Sequence, residues 1–160
     1  FMRPDKLAAD DTPGIAPVLH ALEMLSEFDW VLLLQPTSPL RTAVDINGIV
    51  DFCRRRGAPS AVSVCEAVNH PSWMYQFGSS DRLQSVVAEQ EIAVRRQDLS
   101  KVYALNGALY LARADWLREH ESFVGRDTVG YVMPQERSFD LDEPQDWEMV
   151  ASHLKRQHPE

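Results

Sequence analysis

The chain is 160 residues long, 44% hydrophobic and 25% charged. That balance suits one globular domain with its own core and excludes a disordered tail, a collagen-like chain or a disulfide-stapled miniprotein. Lys and Arg number 16 against 24 Asp and Glu, a formal net charge of -8, which argues against nucleic acid as a partner. No apolar run approaches the roughly 20 residues of a membrane-spanning helix. The longest, Val31 to Leu34, reads as a buried strand. Cys53 and Cys65 sit among apolar residues, and no signal-peptide pattern is present, so both read as reduced thiols of a cytoplasmic protein.

In chain order, Phe1-Met2-Arg3-Pro4 reads as a cut made inside a longer protein. Thr12-Pro13 predicts a helix start, and Ile15, Val18, Leu19, Leu22 and Leu25 then share one helical face. Phe28 to Gln35 reads as a strand buried on both sides. The proline-rich stretch Pro36 to Arg41 is a loop. Thr42 caps a second helix, with Asp45 at its third position and Ile46, Ile49, Val50 and Cys53 on the inner face. Arg54-Arg55-Arg56-Gly57 ends it, where cations and a glycine suit the last turn; a phosphate site is the minor alternative. Ala61 to Cys65 is a short strand.

The stretch from Glu66 to Lys101 differs. It carries Pro71, the aromatics Trp73, Tyr75 and Phe77, a polar turn at Gly78-Ser79-Ser80-Asp81, and Arg95-Arg96-Gln97-Asp98. It reads as an excursion from the main sheet. Gly107 to Ala112 returns to strand, Asp115 to His120 is a short helix and Val129 to Met133 another strand. A last helix begins near Pro144, with Trp147, Val150, Ala151 and Leu154 on one face. Alternating strands and helices predict an α/β sandwich of three layers around a mostly parallel sheet, with residues 1–160 forming one domain. Ligands in such sheets sit at the carboxyl ends of the strands.

Four places carry candidate chemistry. Asp140 and Asp142 flank Leu141, and in an extended segment they point to one side, about 6–7 Å apart. Two carboxylates so placed can hold one hard divalent cation; alternatively Asp142 caps the last helix and Asp140 is merely exposed. Gln35 ends the buried strand at the sheet's carboxyl edge, and Thr37 and Ser38 add hydroxyls, though a rigid turn explains them equally well. Asn106-Gly107 is a turn signal before a strand whose Tyr110 can reach a ligand with its hydroxyl. Arg95 and Arg96 can clamp a carboxylate, or lie solvated. No glycine-rich phosphate loop, nucleophile elbow or Cys-x-x-Cys pair occurs.

Leu33-Leu34-Gln35-Pro36-Thr37-Ser38-Pro39-Leu40-Arg41, Arg96-Gln97-Asp98-Leu99, Asn106-Gly107-Ala108-Leu109-Tyr110 and Ser138-Phe139-Asp140-Leu141-Asp142 follow in that order, after Arg3-Pro4 and His20-Ala21-Leu22-Glu23. This ordered set resembles the acylneuraminate cytidylyltransferases, the CMP-sialic acid synthetases, over nearly the whole chain. The resemblance implies a nucleotide-diphospho-sugar transferase type of fold. It also implies transfer of CMP from CTP to the anomeric hydroxyl of a sialic-type nonulosonic acid, with release of pyrophosphate.

The resemblance further implies Mg²⁺ held by Asp140 and Asp142, and sugar contacts from Gln35, Asn106 and Tyr110. Arg96 is expected on the sugar carboxylate and Phe123 against the N-acyl group. The excursion over residues 66–101 is expected to form a homodimer. Ala104 and Val124 depart from residues found in some members, which leaves N-acetylneuraminic, legionaminic and pseudaminic acids open as the sugar. The family's N-terminal strand and its phosphate loop have no counterpart here, so this portion alone is expected to be inactive. The competing readings are a nucleotidyltransferase of the same fold acting on another sugar or base, and a non-catalytic binding or assembly module.

Overall fold

A computed structural model describes residues 1–87 and 99–157, with side chains as far as residue 155. The described residues form, in chain order, α1 (Ala16–Met24), β1 (Trp30–Leu33), α2 (Ala43–Arg56), β2 (Ser60–Glu66), β3 (Tyr75–Phe77), β4 (Leu83–Ser85), β5 (Tyr103–Arg113), α3 (Ala114–His120), β6 (Thr128–Val132) and α4 (Pro144–Gln157). The main sheet has the order β1-β5-β2-β6.

Strand residues alternate between two cores, as the period of two requires. Val31 and Leu33 of β1, Val62 and Val64 of β2, and Tyr110 and Ala112 of β5 face α1 and α3, where Val18, Leu22, Trp116 and Leu117 wait. Leu32, Ala61, Leu109, Leu111 and Val129 face the other way, onto Ile49 and Cys53 of α2. Helices therefore cover both faces of the sheet, and the protein is a mixed α/β domain.

The expectation of a mostly parallel sheet needs correction. β5 pairs antiparallel with both β1 and β2, and only β2 and β6 pair in parallel. β1, β2 and β6 do share one direction; β5 runs against them. The reason lies in the excursion. Glu66 at the end of β2 pairs with Tyr103 at the start of β5, so the chain leaves and re-enters the sheet at the same end. A connection of that kind returns antiparallel, whereas a parallel return needs a crossover to the opposite end.

Three smaller expectations shift. α1 starts at Ala16 with Pro17 in its first turn, while the Thr12 hydroxyl instead donates to the Lys6 carbonyl. β1 is shorter than the predicted strand, and β5 begins well before Gly107. In α4, Val150 is buried but Trp147 is 64% exposed, so the expected apolar face is only partly covered. α2 matches the sequence closely. Thr42 donates its backbone N–H and its hydroxyl to Asp45, and Gly57 closes the helix at φ +61°. Arg56 lies over the Phe52 ring, and the arginine run is exposed. Both cysteines are free; Cys53 is buried, which pushes its thiol pKa up.

Within the excursion, β3 and β4 form a separate two-stranded hairpin. It carries Tyr75, Phe77 and Leu83 largely exposed, beside Trp73 and Met74. Among the described residues no helix is long and apolar enough to cross a membrane.

Candidate functional site

The site is organised by a bulge in β5. Val62 pairs with Tyr110, but Val64 pairs with Leu105, so Ser63 alone stands opposite the four residues Asn106 to Leu109. The buried Ser63 hydroxyl replaces the lost ladder bonds. It accepts the Leu109 N–H at 2.8 Å and donates to Asn106 Oδ1 at 2.6 Å, with the Leu109 carbonyl also near at 3.2 Å. Gly107 occupies the left-handed region at φ +74°, a conformation that costs other L-residues free energy. The Asn-Gly signal thus marks a bulge inside the strand, not a turn before it.

Two loops close over that bulge. A Cβ added to Gly107 would lie 3.0 Å from Asp140 Oδ2, 3.0 Å from Gln35 Oε1 and 3.3 Å from Ser38 Oγ. Residues far apart in sequence therefore present oxygens to one point above the Gly107 backbone. Leu141 N–H donates to the Thr37 carbonyl at 2.8 Å, joining the Asp140 loop to the Pro-Thr-Ser loop. Arg41 holds the latter in shape by donating to the carbonyls of Ser38, at 2.8 Å, and Gln35.

Beside this point an open cleft of about 250 Å³ is lined by Ile15, Leu33, Gln35, Tyr110, Phe123 and Val124. The Tyr110 and Phe123 rings are tilted together, with centroids 5.6 Å apart. Phe123 is held from beneath: its carbonyl accepts from Ser60 Oγ at 3.1 Å and Thr128 Oγ1 at 3.3 Å. A neighbouring cleft of about 380 Å³ is lined by Arg3, Thr12 and Pro36 and shares Leu33 and Gln35 with the first. Gln35 stands on the wall between them.

The electrostatics are uneven. Burial, with the Asp140 charge second, pushes the Tyr110 phenol above its usual pKa, so it remains a hydrogen-bond donor at neutral pH. Asp140 Oδ1 is buried and has no hydrogen-bond partner. A buried carboxylate oxygen is costly unless a proton donor, a water or a cation meets it.

Known proteins resemble this chain along nearly its whole length. It is 32% identical to the CMP-N,N'-diacetyllegionaminic acid synthase of Legionella pneumophila, over 97% of this chain and 68% of that protein. It is 30% identical to an N-acylneuraminate cytidylyltransferase of Streptococcus agalactiae and 27% identical to one of Escherichia coli, over 96% and 95% of this chain. It spans only 37% and 36% of those two longer relatives. The chain belongs to the acylneuraminate cytidylyltransferase family. No protein-family model matches it.

Gln35, Asn106 and Asp140 are brought together around the β5 bulge, and Tyr110 and Phe123 line the adjoining cleft. Asn106 is engaged on every side. Its Oδ1 accepts from Ser63 and the Ala108 N–H, and its Nδ2 donates to Ser138 Oγ at 2.8 Å and reaches Met133 Sδ at 3.6 Å. Arg96 lies outside the described residues.

The residues fit the Mg²⁺ that the resemblance implies. Asp140 offers an unpartnered buried oxygen, and Asp142 is exposed two positions on. At the start of α4 a carboxylate from within the helix does the capping. The Asp146 carboxylate accepts the N–H groups of Asp142 and Glu143 at 2.9 and 2.7 Å. Among the described residues no cluster of three or more His, Cys, Asp or Glu is placed to hold a metal. A cation here would therefore have only the two carboxylates from these residues and would need ligand oxygens besides.

Sequence reasoning missed four residues that hold the site together: Ser63, Arg41, Ser138 and Arg137. Ser63 has no motif, and its role exists only because a strand bulges opposite it. Arg137 makes a two-pronged bond to Asp45, Nε to Oδ2 at 2.9 Å and Nη2 to Oδ1 at 2.8 Å. Burial pushes Asp45 up, but the bonds from Arg137 and Thr42 outweigh it and hold the carboxyl below its usual pKa.

Proposed function

We propose that this chain forms the sugar- and metal-binding part of an enzyme that transfers CMP from CTP to a nonulosonic acid. The observation that carries the proposal is the convergence of Asp140, Gln35 and Ser38 on Gly107, beside an aromatic-lined cleft. The relatives' names supply the reaction class.

In this reading the sugar acid occupies the cleft of Tyr110 and Phe123. Phe123 packs against the N-acyl group, and the protonated Tyr110 hydroxyl donates to a sugar oxygen. Gln35, on the wall between the clefts, orients the anomeric hydroxyl toward the nucleotide. Asn106 acts by shaping the bulge, since its amide is already engaged within the protein. The anomeric oxygen attacks the α-phosphorus of CTP. The bond to the bridging oxygen breaks, pyrophosphate departs with that electron pair, and one proton is released. Asp140 and Asp142 hold Mg²⁺, which supplies charge neutralisation to the triphosphate and the leaving pyrophosphate. Arg96 meets the sugar carboxylate from the neighbouring subunit of a homodimer, as the resemblance implies.

The cleft favours one branch of substrates. Its walls are mostly apolar, with Ile15, Leu33, Phe123 and Val124 beside the Tyr110 ring. A second acyl group gains apolar contact against these side chains that a hydroxyl in its place does not, while Gln35, Glu121 and Ser122 supply the polar part of the lining. The test is turnover of CTP by the native protein with a panel of nonulosonic acids. A di-N-acetylated acid is expected to exceed N-acetylneuraminic acid in kcat/KM by about 10- to 200-fold, the scale set by small apolar differences. Equal values, or preference for the mono-acetylated acid, would contradict this assignment of the cleft.

A further inference from the structure

We propose that Arg137 is a positioning residue for this site, its fork on Asp45 setting where the loop after β6 presents Asp140. The inference rests on the reading that Asp140 holds the metal.

The geometry begins with Asp45, which is 1% exposed in the first turn of α2. It is fixed there by the Thr42 N–H and hydroxyl, at 2.9 and 2.8 Å. Arg137 engages both of its oxygens at once. A two-pronged guanidinium–carboxylate pair fixes orientation as well as distance, which a lysine ammonium does not do. The loop is therefore pinned to α2, an element that contributes nothing else to the cleft.

Asp140 lies three residues on, between two further ties. Ser138 Oγ donates to the Pro134 carbonyl at 2.8 Å and accepts from Asn106 Nδ2 at 2.8 Å. Leu141 N–H reaches the Thr37 carbonyl. Loss of the Arg137 fork leaves both of these in place, so the loop stays folded. What it loses is the anchor upstream of Asp140, and Asp140 Oδ1 has no hydrogen-bond partner of its own to hold it. Residues that orient metal ligands in this indirect way typically change metal affinity by about 10- to 100-fold.

The experiment uses the native protein and Mn²⁺ alone as probe, with free Mn²⁺ read by electron paramagnetic resonance. Arg137→Lys is expected to weaken Mn²⁺ binding by about 10-fold or more while circular dichroism stays native. Asp45→Asn, which leaves Arg137 without its charged partner, is expected to do the same, and it decides the matter if Arg137→Lys fails to fold. In turnover, the apparent constant for Mg²⁺ is expected to rise more than the KM for the sugar acid. If both variants bind Mn²⁺ as the native protein does while Asp140→Asn binds poorly, Arg137 serves folding only and this inference falls alone. If Asp140→Asn binds Mn²⁺ normally, the metal reading falls and this inference falls with it.

Discussion

Asp45 carries two duties, helix start and ion pair, and its acid–base behaviour follows from them. Its folded pKa is depressed, so the stability it contributes is fully present above the ordinary carboxyl value of 3.8 and is lost as pH falls through the folded value. Asp45→Asn should lower unfolding free energy near neutrality and flatten the decline below about pH 4. Breaking a buried pair costs about 3–5 kcal/mol, and the lower end applies because the Arg137 side chain is 24% exposed. Urea unfolding followed across pH checks this; an acid limb as steep in Asp45→Asn as in the native protein would contradict it. The helix-start half of this arrangement was legible, since threonine followed three positions later by aspartate is a local signal. The Arg137 half was not, because no local pattern announces a partner 92 residues along the chain.

The bulge of β5 is the element on which the site depends. Gly107→Ala should destabilise the protein by about 1–2 kcal/mol, since alanine resists the left-handed region. Its Cβ would also press on Asp140 Oδ2 and Gln35 Oε1, each only 3.0 Å away, so turnover should fall further than stability alone explains. Urea midpoints and kcat measured together test both; unchanged values would show that the bulge relaxes freely. The polar loops at this end of the sheet were legible as candidate sites because strand ends are where ligands bind in α/β folds. The direction of β5 was not legible. Hydrophobic alternation reports which residues are buried, not which way a strand runs, and the antiparallel return was set by an excursion with little periodicity of its own.

At the scale of the whole molecule, the β3–β4 hairpin leaves Phe77 77% exposed and Leu83 61% exposed, next to Trp73 and Tyr75. A lone two-stranded hairpin is marginally stable in water, and a clustered apolar surface of this kind usually marks an interface. The native protein should sediment as a dimer, and Phe77→Asp should shift it toward monomer with its circular dichroism intact. A native protein that sediments as a monomer would remove the hairpin's assigned role. The excursion itself was legible from its aromatic content and polar turn. The central claim is that the Asp140–Asp142 segment and the Gln35–Tyr110 cleft together move CMP onto a sugar acid. The measurement that bears on it most directly is the rate of CMP-nonulosonate formation from CTP, native protein and Asp142→Asn side by side, with pyrophosphate counted in parallel. The native protein should give CMP-sugar and pyrophosphate in equal amounts. Asp142→Asn should fall by more than about 100-fold, the loss of a ligand exceeding that of a ligand's support, while stability changes by under about 0.5 kcal/mol. Equal rates of CMP-sugar formation in the two proteins would contradict it.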